Sequence, residues 1–159
     1  ALTGHLVFST VHTNDAAGAI TRLLDMGVEN FLISSALIGI LAQRLVRVIC
    51  PNCKEEAPLT PTLKTEMGLL HKENIKVYHG KGCKACSQTG FKGRCGIYEL
   101  LVIDDSIREL ILKKTTAQII CDQARKMGMR TLREDGWDKV VQGITTVEEI
   151  LRVTLSDRN

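Results

Sequence analysis

The sequence predicts an α/β fold with an inserted four-cysteine module and a C-terminal bundle of short helices. Three observations support this fold class. Strand-like and helix-like patterns alternate over residues 1–49, both Cys-x-x-Cys motifs and all three prolines fall within residues 50–95, and three helix-start patterns follow one another in the remainder. We therefore predict three domains, over residues 1–49, 50–95 and 96–159.

The composition is ordinary for a globular protein and argues against several classes. Hydrophobic residues make up 44% of the chain, charged residues 25%, and the formal net charge is +3. The basic residues are dispersed, unlike those of a nucleic-acid-binding arm or a polybasic lipid anchor. No signal peptide pattern occurs, and no apolar stretch approaches the roughly 18 residues of a membrane span. Six cysteines without a secretory signal indicate a reducing compartment, where disulfides are rare.

The first element is the apolar run at residues 5–11, whose β-forming residues predict a strand buried on both faces. Thr13 or Asn14 is then expected to cap a helix over residues 16–26, which Gly27 ends. The chain opens directly on this strand-like run, without an initiator methionine. We therefore expect it to be part of a longer protein.

Three further elements are predicted before the C-terminal third. A second helix, apolar on nearly all sides and therefore buried, is expected over residues 31–42. Two arginines are interspersed with apolar residues over residues 44–49, which predicts a half-buried strand. Within the cysteine-rich segment, an amphipathic helix is expected around residues 63–70.

The C-terminal third begins with a predicted strand over residues 97–102. Asp104 and Asp105 are expected to start a helix that runs to Lys113, because acids at the start and lysines at the end match the helix dipole. Three further helix starts have the capping-box pattern, a threonine followed three positions later by Gln or Glu, at Thr115, Thr131 and Thr146. Residues 104–156 are thus predicted to form one bundle of four helices.

Four cysteines form two knuckles, Cys50 with Cys53 and Cys83 with Cys86. A two-residue gap lets both sulfurs of a knuckle face one ion, and two knuckles supply the four thiolates of a closed tetrahedral zinc site. No ligand position is left for water, so we expect one structural zinc ion per chain. A redox dithiol and incidental cysteines are the alternatives.

The other cysteines and two histidines have no predicted chemistry. Cys95 and Cys121 lie outside the knuckle spacing and are expected to be small buried hydrophobes. His71 and His79 are expected at the surface of the cysteine module. For His79, a position beside the metal ligands is the alternative.

His5 and His12 flank the first predicted strand, and His12 stands at its C-terminal end, before a polar turn and a helix start. In open α/β sheets, ligands bind beyond the carboxyl ends of the strands, where an imidazole can donate to a phosphate. We therefore take His12 and His5 as candidate catalytic residues. A structural role for each is the alternative.

Four arginines are candidates for contacts with phosphate or with a neighbouring subunit: Arg22, Arg44, Arg47 and Arg94. A guanidinium binds oxyanions through two parallel hydrogen bonds, which is the reason for considering them. Solvated or carboxylate-paired arginines are the alternative. The sequence contains no Gly-x-x-x-x-Gly-Lys-Ser/Thr pattern and hence no phosphate-binding loop of that type.

Four stretches of the sequence resemble the C-terminal region of the motor ATPases of type II secretion and type IV pilus assembly. They are residues 3–16, residues 42–47 leading into the first knuckle, residues 93–101 and residues 131–149. They occur in family order and extend over essentially the whole chain. Residues 17–27 are more similar to the type II secretion ATPases than to the pilus enzymes.

The resemblance implies a truncated RecA-like ATPase core that works as a cytoplasmic homohexamer at the bacterial inner membrane. Hydrolysis of ATP with Mg²⁺ would drive pseudopilus assembly and protein export, together with inner-membrane platform proteins. Residues 3–15 correspond to the family's histidine box, in which His12 is placed to sense the γ-phosphate. The family's Walker A, aspartate box and Walker B precede this box, so the isolated chain is expected to be inactive. Neither a nucleic-acid partner nor direct membrane insertion is implied.

Two other functions are left open by the sequence. A type IV pilus assembly ATPase would use the same chemistry for a different cargo. A stand-alone zinc-ribbon interaction module, for example one that binds nucleic acid, belongs to another class. The small net charge and the aromatic content of 4% argue against it.

Overall fold

The computed structural model describes residues 4–68 and 75–155. In chain order the elements are α1 (Ala16–Asp25), α2 (Asn30–Ala36), β1 (Gly39–Ile49), β2 (Lys54–Ala57), α3 (Pro61–Glu66), β3 (Val77–Gly80), a 3₁₀ turn (Lys84–Cys86), β4 (Phe91–Val102), α4 (Asp105–Leu112), α5 (Ala117–Lys126), α6 (Leu132–Val141) and α7 (Val147–Leu155). β1 pairs with β4, and β2 pairs antiparallel with β3. The protein is thus a mixed α/β structure, as predicted.

The chain divides into two compact units. The first unit contains Ala1–Ala42 and Tyr98–Thr131, and the second contains Gln43–Ile97 and Leu132–Asn159. β1 and β4 each continue from one unit into the other, so each unit holds a part of both strands.

In the first unit, α1 and α4 begin where an aspartate caps free backbone N–H groups. The carboxylate of Asp15 accepts a hydrogen bond from the backbone N of Gly18 at 2.6 Å, and that of Asp104 accepts from Ile107 at 2.9 Å. The hydrogen bond from Ile107 lowers the pKa of Asp104. Helix starts are therefore set locally by the sequence, as the aspartate at position 104 predicts.

The core of the first unit consists of small and aliphatic side chains from α1, β4, α4 and α5. Glu99 is buried beside it and accepts a hydrogen bond from the backbone N of Ala16 at 2.8 Å. The guanidinium of Arg108 donates to the backbone oxygens of Ser34 and Ile103, which joins α4 to α2. The main core residues are Ala16, Ala17, Ile20, Leu101, Ile107, Ile111, Ile120 and Ala124.

In the second unit, β1 is bonded to the turn between α6 and α7. The backbone N of Ile49 donates to the oxygen of Ile144 at 2.9 Å, and Thr145 Oγ1 donates to the oxygen of Arg47 at 2.8 Å. Trp137, the single tryptophan of the sequence, is buried in α6. The C-terminal helices of this unit are thus attached to a strand almost a hundred residues earlier in the chain.

The strand predicted over residues 5–11 does not form. Residues 4–12 are exposed and have no regular secondary structure, and the side chain of Phe8 is 89% exposed. A strand needs a neighbour to pair with its backbone N–H and C=O groups, and none of the described strands pairs with this segment. The apolar pattern of a segment does not indicate whether a strand is present to pair with it.

The helix predicted over residues 31–42 is shorter than expected. It covers Asn30–Ala36, and β1 begins at Gly39 in place of the helix's second half. The alternating burial predicted for residues 44–49 is confirmed and extends further towards the N-terminus. A continuous apolar run does not distinguish a helix from a strand, and the pairing with β4 decides between them here.

The four C-terminal helices form, but they do not make the single bundle that the sequence predicts. α4 and α5 belong to the first unit, and α6 and α7 belong to the second. Two caps also differ by a residue or two: α5 is capped by Thr116 in place of Thr115, and α1 by Asp15 in place of Thr13 or Asn14. Local patterns predict where helices start but not which surface each helix covers.

The helix predicted around residues 63–70 is represented by α3, which follows a cap at Thr60. The predicted end at Leu70 and the neighbouring His71 lie outside the described residues. Among the helices that the structure describes, none combines the length and the apolar character needed to cross a membrane.

Candidate functional site

The two cysteine knuckles come together in the second unit. The four Sγ atoms of Cys50, Cys53, Cys83 and Cys86 lie within 4.8 Å of one another. Sulfur–sulfur distances are 3.9 Å for Cys50–Cys83, 3.9 Å for Cys53–Cys86 and 3.7 Å for Cys83–Cys86. Four thiolates about 2.3 Å from a central zinc ion would be about 3.8 Å apart, whereas a disulfide would require about 2.05 Å. The cluster therefore has the dimensions of a four-thiolate metal site.

Backbone N–H groups point at the sulfur of Cys86. Those of Cys83 and Gly90 donate to its Sγ at 3.2 Å and 3.3 Å. Burial alone would raise the pKa of this thiol, but these N–H groups, together with the thiols of Cys83 and Cys53, outweigh burial and lower the pKa of Cys86 to about 6. At Cys53, burial dominates and raises the pKa to about 12. A cation that coordinates both sulfurs would overcome this difference by favouring the thiolate of each.

Two glycines allow the segments around the cluster to approach each other. A Cβ atom on Gly80 would lie 2.1 Å from the backbone oxygen of Gly90, and one on Gly90 would lie 2.3 Å from the oxygen of Gly80. The backbone N of Cys50 also donates to the oxygen of Gly90 at 2.9 Å. The two knuckles can therefore close around one point only because neither glycine carries a side chain.

The remaining residues considered in this region take other roles. Nε2 of His79 lies 3.2 Å from a carboxylate oxygen of Glu55 across the β2–β3 pair, and His79 is half-exposed. Cys121 packs against the core of the first unit. Burial raises the pKa of the Cys121 and Cys95 thiols. Both outlying cysteines thus behave as partly buried thiols outside the cluster.

The histidines predicted to carry chemistry lie in the exposed N-terminal segment. His5 and His12 are both exposed, and His12 stands three residues before the cap of α1 at Asp15. The helix start that motivated the choice of His12 is present, but the strand before it is not. The catalytic roles of His5 and His12 stay predictions.

The candidate arginines are separated by the fold. Arg47 on β1 and Arg94 on β4 line one open pocket of about 490 Å³, together with Leu45 and Arg152. Arg44 is three positions from Arg47, so the alternation of β1 turns it to the opposite face. Arg22 lies on α1, in the other unit. The structure therefore groups two of the four predicted arginines and adds a third that the sequence did not indicate.

Glu149, also missed from the sequence as a site residue, organises this pocket. Its side chain is 1% exposed. It accepts hydrogen bonds from Arg47 Nη2 at 2.6 Å, from the backbone N of Arg47 at 3.0 Å, and from Arg152 Nε and Nη2 at 2.9 Å and 3.0 Å. Only half of the predicted capping box forms, since the backbone N of Glu149 donates to Thr146 Oγ1 while its carboxylate turns to the arginines.

Comparison with known proteins identifies the relatives of this chain. The model of a family described as "Type II/IV secretion system protein" matches residues 1–152. The chain is 55% identical over 157 residues to the type IV pilus assembly ATPase PilB of Thermus thermophilus, covering 98% of this chain and 18% of the relative. It is 51% identical to the type II secretion system protein E of Pseudomonas aeruginosa and 50% identical to the type II secretion system ATPase E of Vibrio cholerae, each match covering 96% of this chain and 30% of the relative. The chain therefore spans less than a third of the length of these relatives.

Proposed function

Because the chain belongs to the type II/IV secretion system protein family, we propose that it is part of an ATPase that powers type II protein secretion. The observation that carries the proposal is the family match over residues 1–152, joined to relatives that are named as secretion and pilus ATPases. The parent protein would form a homohexamer with a RecA-like core on the cytoplasmic face of the inner membrane. There it would act on platform proteins to drive pseudopilus assembly.

Within this parent, each predicted domain has its own task. Residues 1–49 complete the ATPase core, and His12 and His5 of the histidine box act beside the phosphates of ATP and its Mg²⁺. Residues 50–95 form the metal module, and residues 96–159 form the C-terminal part. Arg44, Arg47 and Arg94 contact phosphate or a neighbouring subunit. The phosphate-binding loop is supplied by another part of the parent, since the sequence has no such motif.

The proposed metal is a structural zinc ion held by Cys50, Cys53, Cys83 and Cys86. Its support is the tetrahedral spacing of the four sulfurs and the N–H groups that favour the thiolate of Cys86. With four sulfur ligands the ion has no open position for water. Its contribution is therefore to folding, and structural zinc binding is worth roughly 10–16 kcal/mol in zinc-finger peptides.

Metal analysis of the purified 159-residue chain, combined with an ATPase assay, tests the proposal directly. We expect one zinc ion per chain and no magnesium-dependent ATP turnover, because the segments that hold the phosphates lie elsewhere in the parent. Cys95→Ser is the matched control and should retain the zinc. Zinc far below one per chain would contradict the metal site. Turnover by this chain alone would contradict the proposed placement of the catalytic machinery.

The role of His12 is tested in the parent ATPase. His12→Ala is expected to lower turnover at least tenfold, about 1.4 kcal/mol of transition-state stabilisation, because an imidazole donor to the γ-phosphate is lost. His5→Ala should cost less turnover and more stability. If the His12→Ala variant kept wild-type turnover, His12 would have a structural role and not a catalytic one.

Pilus assembly is the second candidate function, favoured by the 55% identity to PilB. The two functions share their chemistry and differ in cargo. Complementation decides between them: the gene for the parent is introduced into strains that lack either the secretion ATPase or the pilus ATPase. Restored secretion of enzymes without restored pili supports type II secretion, and the reverse result supports pilus assembly.

A further inference from the structure

Three arginines from three different elements line one open pocket in the second unit. Arg47 comes from β1, Arg94 from β4 and Arg152 from α7, with Leu45 as an apolar wall and a volume of about 490 Å³. Among the described residues, no carboxylate pairs with Arg94, which is exposed. The pocket therefore presents a guanidinium with unused hydrogen-bond donors.

The charges around the pocket do not balance. Three guanidiniums carry three positive charges, and Glu149 is the single carboxylate that pairs with any of them in the described part of the chain. Its two oxygens already accept four hydrogen bonds from Arg47 and Arg152. The three guanidiniums and this one carboxylate therefore carry a net charge of +2, next to an open space.

Two of the three guanidiniums are fixed in place before any ligand arrives. That of Arg47 lies 4.1 Å from the centre of the Phe91 ring and is bonded to Glu149. That of Arg152 is held by two hydrogen bonds to the same carboxylate. Side chains that are already ordered lose little conformational entropy when a ligand binds, so such a site binds more tightly than three mobile arginines would.

We propose that this pocket binds a phosphate group, as inorganic phosphate or as the phosphate of a nucleotide. A phosphate group carries about −1.5 to −2 charges at neutral pH, which matches the two unbalanced positive charges, whereas a single carboxylate would neutralise only one. Its oxygens also fit the two-pronged donor geometry of guanidinium groups. The inference extends the proposed function, in which Arg47 and Arg94 contact phosphate. It adds Arg152 as a ligand and Glu149 as the positioning residue for two of the arginines.

Calorimetric titration of the 159-residue chain in a phosphate-free buffer at low ionic strength tests this proposal. Inorganic phosphate is expected to bind saturably at one site, with acetate at least tenfold weaker because it carries one charge. A titration with AMP separates the two sources. Equal affinity for AMP and inorganic phosphate means that the phosphate group alone is recognised, and a tenfold preference for AMP means that the ligand is a nucleotide.

Two matched variants locate the site. Arg94→Gln removes one positive charge from the pocket without breaking an observed ion pair, and it should lower the affinity for phosphate at least tenfold. Lys92→Gln removes the same charge from an exposed position two residues earlier on β4, and it should change the affinity less than twofold. Absence of saturable phosphate binding, or equal losses in both variants, would overturn the proposal. These titrations do not depend on ATP turnover. Failure of the phosphate site can therefore be distinguished from failure of the proposed ATPase function.

Discussion

Glu149 combines near-complete burial with full ionisation. Burial alone would raise the pKa of its carboxyl group, but the hydrogen bonds from Arg152 and Arg47 outweigh burial and hold the pKa at about 2, below its ordinary value of 4.5. The carboxylate joins β1 to α7 across 102 positions of sequence. Its ionisation is therefore coupled to the stability of the second unit.

Glu149 is expected to make that stability depend on pH. Because its pKa is lowered on folding, its contribution to the free energy of unfolding, about 3 kcal/mol, is complete above pH 4.5 and disappears as the pH falls towards 2. Glu149→Gln should accordingly be less stable than the wild type at pH 7, with the difference shrinking in acid. Urea unfolding at several pH values measures this. Glu148→Gln, which alters the exposed neighbour, is the control. A pH-independent difference would contradict the assignment.

Gly143 is a second position at which the surrounding structure constrains the residue type. Its φ of +68° suits glycine, and a Cβ atom there would lie 2.8 Å from Cδ2 of Tyr78 and 2.5 Å from Nζ of Lys54. Gly143→Ala is expected to lower the free energy of unfolding by about 1–3 kcal/mol, measured in urea. Gly128→Ala, with a φ of +99° but open space around it, reports the backbone strain alone. The Gly143 variant should be the less stable of the two. Equal effects would mean that contact with the ring contributes nothing.

At the scale of elements, the pair formed by β2 and β3 is attached to the four-cysteine cluster. Each strand has four residues, and exposed ion pairs such as Lys76–Glu56 contribute little to stability. Cys53 directly precedes β2, and its backbone oxygen accepts from Lys81 at 3.1 Å, just after β3. The cysteine cluster therefore closes the end of a strand pair that is too short to be stable alone.

Removal of the proposed zinc ion is expected to release this strand pair first. Chelation or Cys53→Ser should abolish amide protection over residues 54–57 and 77–80, while α5 in the first unit keeps its protection. Hydrogen exchange followed by mass spectrometry measures both regions in one experiment. Cys95→Ser, which leaves the cluster intact, should preserve all protection. Simultaneous loss in α5 would mean that the zinc stabilises the entire chain.

The elements that the sequence predicts correctly are those with local signals. Asp104 marks the start of α4, and two Cys-x-x-Cys motifs locate the cluster of four cysteines. The features that could be found only from the structure depend on contacts between residues that are far apart in the sequence. Without knowledge of β4, the apolar run that becomes the start of β1 resembles a helix. Nothing near Glu149 indicates that its carboxylate reaches Arg47, because that contact spans 102 positions.

At the scale of the whole molecule, the family match favours the two ATPase functions among the alternatives that the sequence left open. The relatives matched over 96–98% of this chain are named as secretion or pilus proteins and ATPases. The family match therefore argues against a zinc-ribbon module that is unrelated to ATPases. Variants in the four-cysteine module are therefore best tested in the proposed parent ATPase.

In the proposed parent ATPase, Arg94 is expected to affect turnover or assembly more than the fold. Arg94→Ala should lower ATPase turnover or hexamer formation while leaving the melting temperature nearly unchanged, because no ion pair within the described residues is lost. Turnover, sedimentation and thermal unfolding of the parent measure the three properties. Lys92→Ala, on the same strand, is the control. Unchanged turnover and assembly in the Arg94 variant would assign this arginine to the solvated surface.

The placement of Trp137 has a practical consequence for spectroscopy. It is the single tryptophan in the sequence, and it is buried in α6 of the second unit. Its emission therefore reports on the environment of the second unit, whereas far-ultraviolet circular dichroism averages over the helices of both. If the two units melt at different temperatures, the two signals will give different midpoints, and coincident curves will indicate a single cooperative transition. The protein thus carries an intrinsic fluorophore that distinguishes its halves without chemical labelling.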